Sequence, residues 1–391
     1  MLVPNPNFRP NPNRSVNIDG TIDDHLVSRL TPAILSLQHA NREPITVYIL
    51  NSPGGNVSSM ETVLRLLKSP DQDSSALCRV ITVVTGRAAS AAADLLSSGD
   101  YAIAYPKSTL LYHGIRTYGQ RPLTVQSTSL LAHVLRISND YYAMELAKKI
   151  EYRFVFRFLV LKGSFQKFRE ENPTRTLTDL ECFTGLLASK LSQRAQQVCN
   201  KGSERYGRYN ALLSSVMKKE QPASTKRIAE IEARRLKAIV DFEVSSNKKT
   251  PEWSFRDGGL SRLADDFFLL NEYLETHTTE RIKQWCTSLG KFALTEAERS
   301  EIDGIADEPA RTEKMIEKVQ PILQPVWSFF VALCHALQED ENELTATDAY
   351  WLGLVDEVLG EALPTLRVLQ EYQADPAPAP ALAEVPESAA S

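Results

Sequence analysis

The chain has 391 residues, 43% of them hydrophobic, and a formal net charge of −5. That length supports one large domain or two ordinary ones with real cores, and so small a charge points to neither nucleic acid nor an anionic membrane as partner. Five scattered cysteines, Cys78, Cys182, Cys199, Cys286 and Cys334, never form CxxC, so no disulfide framework or zinc site is expected and no metal or cofactor is assigned. The longest apolar stretch, Val326–Leu337, contains His335 and falls short of the ~20 residues that a membrane helix needs. The expectation is a cytoplasmic protein in a reducing compartment.

Residues 1–14 alternate Asn and Pro where a secretory leader would carry an apolar run, and they read as an extended arm. From Ser15 to about Ile150, short β-type runs alternate with helical ones, the pattern of βα units closing a mostly parallel sheet. SVNIDG reads as a strand. TIDDHLVSRLTPAILSLQ reads as a helix with Thr21 as N-cap and Leu26, Leu30, Ile34 and Leu37 on one face, kinked or broken at Pro32. ITVYILN is the next strand, and VSSMETVLRLL a helix with Val57, Met60, Val63, Leu64 and Leu67 apolar. CRVITVVTG reads as a strand buried on both faces, and AASAAADLLSSG leads to two more short strands, YAIAYP and TLLYHG.

Beyond Ile150 helical patterns dominate, which predicts a helical insertion over 151–335 and a return to the α/β core over 336–368. Within it, Lys201–Thr250 carries twelve Lys or Arg against six Asp or Glu, a run that reads as a solvated helix face. MIEKVQPILQPVWSFFVALCHAL is a Pro-interrupted apolar helix suited to a core or a subunit contact. Residues 369–391, rich in Pro and Ala, have little to bury and are expected to be disordered.

Three short pieces carry the chemistry. In NSPGG, a glycine pair between a strand and a helix lets backbone N–H groups approach a ligand atom, the raw material of an oxyanion hole; a plain turn is the competing explanation. In VVTGRAASAAADLL, Ser90 is the one hydroxyl in a run of alanines at a helix start, a position that suits a nucleophile and equally an incidental serine in a tightly packed helix. In STLLYHG, His113 ends a β-type run; a serine hydroxyl needs such a base before it can attack. Each of the three stands at or just past the end of a β-type run, and that conjunction favours one site.

These motifs, with GTIDDHL, VYILNSPGGNV, GRAASAAADLL and, near the C-terminus, LTATDAYWLGLVDEVL, resemble the proteolytic subunits of the Clp protease, the ClpP family within the ClpP/crotonase-like superfamily. The resemblance covers about a third of the chain. It implies an α/β fold, a ClpP/crotonase-like spiral of βα units, with a long all-α insertion before the C-terminal segment. It also implies a serine endopeptidase in which Ser90 is the nucleophile and His113 the general base. The N–H groups of Gly55 and Ala91 would hold the oxyanion. The family's third triad member falls at Glu341, with Asp340 as the alternative. Peptide or unfolded-protein substrates, a homo-oligomer and an AAA+ ATPase partner come with the family. Ala92 and Asp94 depart from its pattern, Asp94 lying one helical turn from Ser90 with Arg87 as a candidate partner. Competing readings are a non-catalytic scaffold that binds partners through the insertion, a crotonase-type enzyme acting on acyl thioesters, and a Ser-Lys relative in which a lysine replaces His113 as base.

Overall fold

Alternate residues of the first strand, Val16, Ile18 and Ile22, are buried, and β1 (Ser15–Ile22) forms one edge of a mostly parallel sheet. The computed structural model describes residues 8–69, 77–116, 125–173, 176–217 and 279–365. After β1 come α1 (Asp24–Ala40), β2 (Ile45–Gly55), α2 (Val57–Leu67), β3 (Val80–Ala89), α3 (Ala91–Ser97), β4 (Tyr101–Ala104) and β5 (Thr109–Tyr112). The helical region follows as α4 (Val125–Lys162), α5 (Phe165–Glu171), α6 (Asp179–Ala188) and α7 (Gln193–Met217), then α8 (Thr279–Ala293), α9 (Glu296–Asp303) and α10 (Glu308–Leu337). β6 (Asn342–Thr345), α11 (Ala346–Trp351) and β7 (Glu357–Val358) return to the sheet.

The sheet runs β1-β2-β3-β4-β7, all parallel, and it forks at β3. The first half of β3 pairs with β4 and its last residues, Arg87 to Ala89, pair with β5. β5 in turn pairs antiparallel with β6. Parallel strands need helical crossovers, and these helices bury apolar stripes against the sheet: Leu26, Leu30 and Ile34 from α1, and Met60, Val63 and Leu67 from α2. Val80, Ile81, Val83 and Val84 are fully buried, as expected for a central strand.

Two local details differ from the sequence-based expectation. Asp23, not Thr21, caps α1, its carboxylate accepting the Leu26 N–H at 2.9 Å, because the chain stays in β1 through Ile22. Pro32 lies inside α1 without ending it. In α10, too, Pro321 and Pro325 are accommodated within one helix, and Val326–Leu337 packs wholly inside this chain. The basic segment KRIAEIEARRLK, the first seven residues of the arm and the 369–391 tail lie outside the described residues.

α4 runs through position 150 without a break, and one cluster of buried apolar side chains joins Ile18 and Val47 of the sheet to Phe154, Trp285 and Trp327 of the helical region. Two buried arginines of α4 complete the joint. Arg153 pairs with buried Asp356 at 2.7 Å and donates to the carbonyls of Ser97 and Gly99, while Asp356 accepts the Ala102 N–H. Arg157 lies 3.6 Å over the Tyr350 ring and donates to the carbonyls of Tyr350, Val355 and Asp356. Among the described residues no helix is long and apolar enough to cross a membrane.

Candidate active site

Ser90 stands between the last residue of β3 and the first of α3, and its φ of 53° makes the chain turn sharply there. A non-glycine residue in that region costs roughly 1–3 kcal/mol, which the surrounding structure must offset. Its N–H is held by the Leu111 carbonyl at 2.7 Å, so the end of β5 is fixed against the turn. Ala91, Ala92 and Ala93 are buried to 2% exposure or less, which is why this helix start is built from alanines. The hydroxyl of Ser90, half-buried, caps no backbone N–H of α3.

The SPGG segment closes on the same turn. Ser52 Oγ donates to the Gly20 carbonyl at 2.6 Å and accepts the Gly54 N–H at 3.2 Å. Gly54 has φ of 88°, and a Cβ there would fall 2.7 Å from Ser90 Cβ, 3.0 Å from the Ala91 nitrogen and 2.4 Å from the Ala89 carbonyl oxygen. Gly54 is therefore the glycine that permits the close approach to Ser90, a residue that sequence reasoning passed over in favour of its neighbour. Gly55 is required by β1: its Cβ would collide with Ile22, whose carbonyl also accepts the Asn56 N–H at 2.8 Å. Asn56 then caps α2 through Ser58 N–H, so the glycine pair leads directly into a helix start.

His113 follows β5. Its preceding residue, Tyr112, is buried, donates to the Ala93 carbonyl at 3.0 Å and shares a 2.6 Å hydrogen bond with Ser97 Oγ, which locks β5 onto α3. Thus the carboxyl ends of β2, β3 and β5 carry Gly54–Gly55, Ser90 and His113 to one rim of the parallel sheet, where open α/β sheets place their ligands. His113 Nδ1 lies 2.7 Å from the Gly114 carbonyl oxygen. Among the described residues no hydrogen bond joins His113 to Ser90 or to Glu341.

The antiparallel register pairs Tyr112 with Asn342, so continuing it by one residue sets Glu341 opposite His113. Glu341 is drawn to Arg116 at 2.5 Å, and that guanidinium holds its carboxyl below the usual range, with smaller contributions in the same direction from His113 and Arg87. Asp340, at φ 41°, turns away to Lys201 of α7 at 2.5 Å. Glu339 and Glu343 likewise meet Arg205 and Arg194 of α7. A cavity of about 410 Å³ lies between α7 and the strand pair, lined by Leu111, Arg194, Gln197, Glu341, Asn342 and Glu343.

Asp94, one turn beyond Ser90, responds to burial and to Lys149 rather than to Arg87. Burial pushes its carboxyl up to about 6, with Lys149 opposing. Among the described residues no cluster of His, Cys, Asp and Glu is arranged to hold a metal ion.

Residues 9–139 match the family described as Clp protease, a span that includes Gly55, Ser90, Ala91 and His113 and stops short of Glu341. The chain is 32% identical over 109 residues to the ATP-dependent Clp protease proteolytic subunit of Carsonella ruddii (strain PV), a match covering 27% of this chain and 53% of that protein. It is 31% identical over 102 residues to the ATP-dependent Clp protease proteolytic subunit 2 of Gluconobacter oxydans (strain 621H), covering 26% of this chain and 44% of that protein. The chain thus spans about half the length of the curated relatives it matches. The parallel sheet, the rim on which the glycine pair, Ser90 and His113 meet, and these matches agree: residues 9–139 are similar to the Clp protease family, and a helical region follows them.

Proposed function

We propose that the chain is a serine peptidase that cleaves peptide bonds through an acyl-enzyme on Ser90. The observation that carries this reading is the meeting of Ser90, His113 and the SPGG turn at the carboxyl ends of three neighbouring strands. Ser90 Oγ attacks the peptide carbonyl carbon while its proton passes to His113 Nε2. The tetrahedral oxyanion faces the N–H groups of Gly55 and Ala91. Collapse breaks the C–N bond, and the imidazolium returns its proton to the departing amine. Water, deprotonated by His113, then attacks the ester, the C–O bond to Ser90 breaks, and the serine recovers its proton. Glu341 faces His113 across the strand pair as the acid of this reading, and Asp340 is less suited because it turns toward Lys201.

The substrates on this reading are peptides or unfolded proteins. A homo-oligomer in the cytoplasm and an AAA+ ATPase partner extend the same proposal from relatives whose names include "ATP-dependent". A fluorophosphonate probe tests the chemistry: a mass adduct mapped to Ser90, absent in Ser90→Ala and His113→Ala, is the expected result. A folded protein that takes no adduct would overturn the peptidase reading. It would favour a partner-binding scaffold, a second reading supported by the capture of Glu341 by Arg116.

A further inference from the structure

The peptide unit between Gly114 and Ile115 is held from both ends. Its carbonyl oxygen lies 2.7 Å from His113 Nδ1, and its N–H donates to Asn139 Oδ1 of α4 at 2.6 Å. A carbonyl oxygen can only accept, so in the neutral ring the proton resides on Nδ1 and the lone pair is left on Nε2, the nitrogen needed to take a proton from a serine. Because C=O and N–H of one peptide are rigidly opposed, fixing the N–H direction fixes the carbonyl direction.

The surroundings leave this peptide little freedom. A Cβ on Gly114 would fall 2.6 Å from Asn139 Nδ2 and 2.6 Å from the Gln338 carbonyl oxygen, so the loop is wedged between α4 and the end of α10. Those two walls are themselves tied by Asp140 and His335, whose Oδ1 and Nδ1 lie 3.3 Å apart. Glu341, meanwhile, is engaged by Arg116.

We infer that Asn139 is a positioning residue: through the Gly114–Ile115 peptide it fixes the tautomer and orientation of His113, the contact role that a carboxylate fills in a Ser-His-acid triad. Glu341 acts at longer range through its charge. The helical region therefore contributes to the site through α4. This rests on the proposed role of His113 as base, and the test separates the two.

Nitrogen-15 NMR of the full chain labelled at its six histidines, with His113→Ala for assignment, reads the tautomer directly. Expected is a His113 ring protonated on Nδ1 in the wild type and in Glu341→Gln, becoming a mixture in Asn139→Ala and restored in Asn139→Asp, which keeps the acceptor. Fluorophosphonate labelling of Ser90 should slow about fivefold to tenfold in Asn139→Ala, the loss of one hydrogen bond, and recover in Asn139→Asp. Glu341→Gln should slow it less than Asn139→Ala. A wild-type ring protonated on Nε2, a tautomer unchanged in Asn139→Ala, or an Asn139→Asp variant as impaired as Asn139→Ala would overturn the inference. So would a Glu341→Gln variant as slow as His113→Ala. If Ser90 takes no probe while the tautomer follows Asn139 as expected, the positioning role stands and the peptidase reading falls.

Discussion

The sheet and the helical region solve the problem of burial differently. In the sheet, backbone amides are satisfied by neighbouring strands, and the buried side chains of β3 are aliphatic apart from Thr82, whose hydroxyl donates to the Leu96 carbonyl. In α4, two guanidinium groups are taken out of water and satisfied by carbonyls of Ser97, Gly99, Tyr350, Val355 and Asp356 and by the Asp356 carboxylate. The first strategy holds a register; the second specifies how two distant pieces of chain meet. Regions joined by buried charge are more sensitive to loss of one partner than regions joined by aliphatic packing are to a single methyl group.

The largest effect is therefore expected at the joint. Arg153→Ala strands Asp356, of which 1% of the side chain is exposed, without its cation, and should cost about 3–5 kcal/mol, read as a lowered urea midpoint. A loss below 1 kcal/mol would mean that the joint does not depend on this pair. On the sheet side, Gly54→Ala sets a methyl group against the Ala89 carbonyl at a positive φ and should cost about 1–3 kcal/mol. On the peptidase reading it should also slow Ser90 labelling on the order of a hundredfold, as a small misplacement does. Full reactivity in a folded Gly54→Ala protein would remove the SPGG turn from the site.

The smallest effect separates the regions by pH. Asp94 has its carboxyl raised to about 6, above its unfolded value, so its contribution is fully present below the unfolded pKa near 4 and lost as pH rises through 6. Asp94→Asn should thus match the wild type near pH 4 and exceed it by about 1–2 kcal/mol at pH 7, since a half-buried group is partly screened. Parallel stability curves for the two proteins across that window would contradict this.

Much of the sheet was legible because its signals are local. α2 spans the residues that its apolar spacing predicts, and β-type runs ending at SPGG, Ser90 and His113 locate the rim. The joint was not legible: EYRFVFRF lies where helical patterns begin to dominate, and nothing nearby in the sequence announces that Arg153 will meet Asp356. Asn139 was hidden for the same reason, since its hydrogen bond to Ile115 depends on how α4 packs rather than on its own segment. At the glycine pair, the motif was visible but the division of labour between Gly54 and Gly55 required knowing which strand lies beside each.

The pairing of β4 with β7 has a consequence for the order in which the protein can be built. Ile103 and Ala104 meet Glu357 and Val358, so the entire helical region is synthesised between two adjacent strands. Closing so long a loop costs only slightly more than closing a short one, because that entropy grows with the logarithm of length, but it delays the contact. Until β7 leaves the ribosome, β4 presents an open edge, the kind of surface at which nascent chains pair wrongly. β7, the last strand among the described residues, is the one that closes it.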